Sequence, residues 1–197
     1  MSYKENSINN PILYITKQIK KIYLNSNIYN NKISKISDGG FEYVPHLKVF
    51  DCIVKSNDRK SRIEDYKIEK IWENRNLEEK DYKKLNSFFW LFTVDLKSSK
   101  IITRSVISNW MDHNQNYSFK SWELDTLSKR IISWIANSNN FYHEGDESFR
   151  ISFTNIVKKQ LNHLINEIEN TKFFNDKMIG CAAIILGGLC FKYKLQY

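Results

Sequence analysis

From Leu77 onward, apolar positions recur every three or four residues, the spacing of helices buried along one side. Five stretches carry this pattern: 77–96, 98–114, 121–138, 146–169 and 175–194. Four of them open on a residue whose side chain can accept from a free first-turn amide: Ser98, Ser121, Asp146 and Asn175. The fourth stretch aligns Phe149, Phe153, Ile156, Gln160, Leu161, Leu164 and Ile168 along one side. Short links between the stretches predict antiparallel helix pairs. The fifth stretch is apolar nearly all round from Met178 to Phe191. It should therefore be enclosed on several sides, and five helices cannot easily surround it while closing their own outer faces. That run is shorter than the roughly 20 residues a bilayer-spanning helix needs.

The pattern before Leu77 is weaker. Ile12, Ile15, Ile19, Ile22 and Tyr23 predict an amphipathic helix within residues 1–30. Residues 31–75 look irregular, with "SDGGFEYVPH" as a turn cluster and short strands around it. The chain thus divides into an N-terminal extension, 1–76, and a helical domain, 77–197. Only 2 Pro and 6 Gly interrupt it, which favours long elements over a turn-rich β architecture. No close repeat has a fixed period. The alternation of helix, short loop and helix predicts a mainly α fold of stacked antiparallel helical hairpins.

The third stretch, "SWELDTLSKRIISWI", raises a specific question. At about 100° per residue, Leu124, Leu127, Ile131, Trp134 and Ile135 form the buried face. Glu123 and Arg130 fall on its flank, two turns apart, where a charge is costly unless paired or facing a cleft. One reading is structural: an ion pair, or an arginine laid against the Trp134 face. The other is functional: a cleft wall where the indole meets pyranose C–H groups and the guanidinium meets a carboxylate or sulfate.

Charge adds little. Thirty Lys and Arg stand against 22 Asp and Glu, a net +8 that suits an anionic partner. The chain is also rich in Lys, Asn and Ile, all with A/T-rich codons, and such a bias raises charge without functional cause. The basic residues are scattered among acids and form no stripe, which argues against a nucleic-acid binder. Cys52, Cys181 and Cys190 make no CxxC pair and read as free thiols. The N-terminus lacks the apolar core and cleavage site of a signal peptide, so a cytoplasmic protein with no membrane span is expected. No phosphate loop, metal-spaced cluster or Ser/His/Asp order is visible, and no cofactor or metal is expected. Tyr142 and His143 are neighbours that should point apart. His46, His113 and His163 look isolated, and Asp112 with His113 reads as a helix end.

Phe89-Trp90-Leu91, Asn109-Trp110, Trp122-Glu123 and Arg130-Ile131-Ile132-Ser133-Trp134 follow one another in order. With "KMIGCAAIILGGLCF" after them, they resemble the N-terminal helical domain of the heparinase II/III-like polysaccharide lyases. The resemblance covers about residues 85–192, while residues 1–80 match weakly. It implies a partial α/α toroid and an acidic polysaccharide as partner. It also implies that the catalytic Asn or Gln, His and Tyr lie later in the chain, so that this portion is inactive alone and is completed by further helices or a separate chain. "SDGGF" at 37–41 is not the family's DGGH-type segment, because it precedes the helices and has Phe41 where His would stand. Trp122, Glu123, Arg130, Trp134, Asn109 and Trp110 become the expected substrate-binding residues, with no catalytic base among them.

Overall fold

A computed structural model of the chain describes residues 11–35, 40–41, 78–93, 96 and 100–191. These residues hold seven α-helices and no strand. In chain order they are α1 Pro11–Leu24, α2 Asn27–Ile33, α3 Glu79–Asn86, α4 Lys100–His113, α5 Leu124–Asn137, α6 Glu147–Glu167 and α7 Phe174–Phe191. A 3-10 turn, Phe89–Thr93, follows α3. The mainly α expectation holds. The expected strands near 37–46, the boundary at 76–77 and the Ser98 cap lie outside the described residues, Gly40 and Phe41 apart. Phe41 packs among the rings of Tyr142, Phe153 and Phe191.

Local chemistry sets several helix ends. Asp146 caps α6, its carboxylate accepting from the Phe149 amide at 2.7 Å. Ser26 caps α2 in the same way through Tyr29. Ser121 does not cap α5, which begins at Leu124 with Glu123 in the cap position. Asn175 likewise lies inside α7, which begins at Phe174. The stretch 77–96 is not one helix, because α3 ends at Asn86 and Phe88 takes a positive φ of 54°. That left-handed conformation terminates a helix but is costly for a bulky side chain, on the order of 1–3 kcal/mol. Two features hold Phe88 there: full burial against Trp90, Trp110 and Trp134, and the Ser133 hydroxyl donating to its carbonyl at 2.9 Å.

The enclosed helix is α5, not α7. From Thr126 to Asn137, α5 is buried at every residue except Lys129 and Ile132. It packs against α7, α6, α3 and the 3-10 turn. The last helix turns its small residues inward: Gly180, Ala183, Gly187 and Cys190 are buried along one face. A helix with no large side chains on that face can approach its neighbours closely. A Cβ at Gly187 would lie 2.5 Å from the buried Leu161 side chain. Several large apolar side chains of α7 point outward, whereas Phe191 at its end is buried. Met178, Ile185 and Leu189 are 58%, 64% and 63% exposed, with Phe174 and Cys181 on the same side. Enclosure of this helix on several sides is therefore not observed. By length and composition alone α7 is long and apolar enough to cross a bilayer, although its inner face runs along α5 and α6.

The first helix also departs from expectation. Ile15, Ile19 and Ile22, the stripe expected to be buried, are 54–71% exposed, and Tyr23 is exposed too. Among the described side chains of α1, Leu24 is the buried one. The connection to the rest runs through α2, whose Tyr29 and Ile33 enter the core and whose Ile33 carbonyl accepts from Asn162 of α6 at 2.9 Å.

Two adjacent glycines test the close approach of α7. Gly187→Ala should destabilise the protein by about 1–3 kcal/mol through overpacking against Leu161. Gly188→Ala meets nothing within 4 Å and should stabilise by about 0.5–1 kcal/mol through helix propensity. Urea unfolding midpoints should move in opposite directions, and a shared direction would refute the packing assignment.

Candidate functional site

The charge that stood out in the sequence, Arg130, is sealed in the core. It is fully buried and donates from Nη1 to the carbonyls of Asn86, at 2.9 Å, and Ser121, at 2.8 Å. Its Nε donates to Gln160 Oε1 at 2.9 Å. Trp110 lies under the guanidinium, 4.1 Å from ring to carbon, and donates its own indole N–H to Asn86 Oδ1 at 2.8 Å. Among the described residues no carboxylate pairs with the charge. The compensation comes from neutral carbonyls, from the π face of Trp110 and from the negative end of α3, to which the Asn86 carbonyl belongs. Burial pulls the Arg130 pKa down to about 9, which leaves it charged at neutral pH.

The open groove wall expected at Arg130 and Trp134 is therefore not observed. Trp134 is fully buried among Phe88, Trp110 and Phe153. Trp110, also fully buried, belongs to the same knot. Asn109 is exposed on α4, and its carbonyl lies 2.8 Å from His113 Nδ1. Glu123 is half-exposed and pairs with Lys83 at 2.9 Å, which also pairs with Glu79 at 2.9 Å. The structural reading of the Arg130 flank is the one observed, but its aromatic partner is Trp110 and no ion pair is involved.

A cleft of about 440 Å³ opens elsewhere, between α1, the segment 117–124 and α6. Two expected site residues, Trp122 and Glu123, line it. The rest of its wall was not anticipated. Lys17, Lys20, Lys21 and Leu24 come from one side of α1, at the i, i+3, i+4, i+7 spacing of a single helical face. Tyr117 and Phe119 come from the segment before α5, and His163 and Glu167 from α6. Lys20 pairs with Glu167 at 2.5 Å. Among the described residues no carboxylate pairs with Lys17 or Lys21, and the Lys21 ammonium lies 6.0 Å over the Phe119 ring. The sequence did carry a signal for this site: three lysines opposite the isoleucine stripe of α1.

The floor of the cleft is a packed set of rings. Tyr117, Trp122 and Tyr29 surround His163 at 5.0, 5.6 and 5.8 Å between centroids. The Tyr29 hydroxyl lies 2.7 Å from His163 Nδ1. Burial, with smaller contributions from the nearby Lys20 and Arg130 charges, lowers the His163 pKa to about 4 against a hydrogen bond that the ring donates to the Trp122 backbone. The ring is thus neutral at physiological pH, and His163 is a member of the floor, not an isolated residue. Burial likewise raises the Tyr117 hydroxyl to about 12, so it does not supply a base at neutral pH.

A second, polar cleft of about 570 Å³ lies between α4 and the start of α6. Its charges are only partly committed, since a buried Arg104 Nη1 in its wall has no hydrogen-bond partner among the described residues. Glu144 is hydrogen-bonded to Lys100, and Asp146 is occupied as the α6 cap. Tyr142 is buried beside Thr154 and His143 is exposed, but their rings lie 5.6 Å apart edge to face, so the expected divergence of the two neighbours is not observed.

Arg130→Met should cost roughly 3–5 kcal/mol in urea unfolding, because buried carbonyls at Asn86 and Ser121 lose their donor. A loss below about 1 kcal/mol would contradict the carbonyl-holding role, since even a half-buried i,i+4 pair such as Lys129–Asp125 contributes about 0.5 kcal/mol. For His163 the sign follows from its depressed pKa. Between about pH 6.5 and about pH 4 the unfolded imidazole binds a proton and the folded one does not. Stability should therefore fall across that window as pH falls, by up to about 3 kcal/mol. His163→Gln should flatten that part of the profile relative to the unmutated chain. Parallel profiles would show that His163 is not the group responsible.

Comparison with protein-family models, with curated proteins and with solved structures gives no match for this chain.

Proposed function

We propose that the chain is the N-terminal helical portion of a heparinase II/III-like polysaccharide lyase, supplying framework and acidic-glycan contacts but no catalytic base. The observation that carries this reading is the pairing of a closed core with a bare edge. Around Arg130 the core is sealed from solvent, yet the outer face of α7 leaves Met178, Ile185 and Leu189 in solvent. Such a face is expensive for a finished surface and suits a helical layer meant to continue. In this reading further helices of an α/α toroid pack on α7, with stacked antiparallel hairpins as the repeating unit. The resemblance residues Trp90, Trp110, Arg130 and Trp134 then mark the framework of the family and not its substrate wall.

The chemistry of the whole enzyme would be β-elimination on a uronic-acid polysaccharide. The C5 proton is weakly acidic, and the adjacent carboxylate must be neutralised before a carbanion can form. A base removes the proton and an acid protonates the departing oxygen. The described residues offer binding groups for the first requirement. Neither Tyr117, with its raised pKa, nor the sealed His163 suits the second.

The test uses the purified chain immobilised and challenged with heparan-type, chondroitin and alginate polymers beside a neutral dextran. Retention of a polyuronate over dextran is expected, with no growth of the ultraviolet absorbance of unsaturated uronate. Equal behaviour of polyuronate and dextran would refute the glycan reading. Turnover at an enzyme-like rate would place the base within these residues and refute the framework role.

A further inference from the structure

We infer that the cleft between α1 and α6 is the acidic-sugar site, taking a uronate carboxylate or a sulfate between Lys17 and Lys21 with a pyranose face on Phe119. This rests on the polysaccharide reading above.

Charge accounting on the cleft wall supports it. Both acids at the rim are already neutralised: Glu167 by Lys20 and Glu123 by Lys83. Lys17 and Lys21 lie one turn apart on the same face and have no carboxylate partner among the described residues. The wall therefore carries a positive surplus at one place, although basic residues are scattered over the chain as a whole. Ammonium groups at this spacing suit a single compact anion such as a carboxylate or sulfate.

The apolar half of the recognition lies beside them. Phe119 is 67% exposed, an unusual cost for an aromatic ring, and lies under the Lys21 ammonium. A flat ring at the mouth of a cleft offers a face for sugar C–H groups, and the neighbouring lysines fix the orientation of the acid. The rings beneath are packed and neutral, so the floor neither repels an anion nor competes for the lysines. The volume, about 440 Å³, falls within the roughly 300–1,000 Å³ of small-ligand sites. A nucleic acid fits these features less well. Proteins that grip a phosphate backbone commonly neutralise on the order of 6–10 phosphates, and only two unpaired lysines stand here.

The experiment titrates a fluorescently tagged heparin tetrasaccharide into the full chain, its Lys17→Glu/Lys21→Glu variant, its Phe119→Ala variant and a Lys80→Glu/Lys84→Glu variant of equal charge change. Lys80 and Lys84 are exposed on α3, outside the cleft lining. The cleft double variant should bind on the order of tenfold more weakly or worse, at an unchanged melting temperature. Phe119→Ala should weaken binding several-fold, and the α3 variant should stay within about twofold of the unmutated chain. Unmutated-level binding by both cleft variants would overturn the cleft assignment and leave the polysaccharide reading standing. An equal loss in the α3 variant would overturn it too, by showing a diffuse charge effect. Absence of binding by the unmutated chain would remove both readings. Salt-sensitive binding of a short DNA lost in the cleft double variant, without tetrasaccharide binding, would replace the sugar with a nucleic acid.

Discussion

One guanidinium ties together segments that are far apart in the chain. Arg130, on α5, holds the last carbonyl of α3, the Ser121 carbonyl just before α5, and the Gln160 side chain on α6. A planar group with five fixed donors can serve three acceptors in different directions, which a leucine or a lysine cannot. Its desolvation is offset by those acceptors, by the Trp110 face and by the end of the α3 dipole. The Phe88 turn depends on the same knot. A bulky residue at φ 54° persists only where its surroundings over-determine it, and here three tryptophan rings and the Ser133 hydroxyl do so.

Positions of helices were legible from apolar spacing and from caps such as Asp146, because both act locally. Which side of a helix faces inward was less legible, for two separate reasons. In α7 every position from Met178 onward is apolar or small, so periodicity is silent and side-chain size decides. Gly180, Ala183 and Gly187 go inward because close approach to Leu161, Leu164 and Ile168 gains more contact than a large side chain would. In α1 periodicity is clear, but the isoleucine stripe faces out and the lysines line a cleft. Tertiary attachment through Leu24 and α2 has overridden the local pattern.

The site was half legible for a related reason. A helical wheel places Arg130 on the flank of a stripe, but it assumes that one side of α5 is open. α5 is instead surrounded by α3, α6 and α7, so its flank is as deep as its centre. Trp122 and Glu123 precede α5 and both line the cleft, Glu123 partly exposed at its edge and Trp122 fully buried beneath it. Tyr117, Phe119 and His163 are far from α1 in sequence, and no spacing rule connects residues brought together by the docking of α2 on α6 through Tyr29 and Asn162.

The buried arginine and the open cleft are nonetheless one construction. The Arg130 bond to the Ser121 carbonyl fixes the residue immediately before Trp122 and Glu123, which form one cleft wall. Its bond to Gln160 fixes α6 one turn before His163 and two turns before Glu167, which form the opposite side. Arg130 is therefore a positioning residue for a site that it does not reach. In the proposed reading a charge can thus shape the cleft while sealed from any ligand. It also separates two classes of change: loss of Arg130 loosens core and cleft together, whereas Lys17 and Lys21 sit on the rim and act on charge alone.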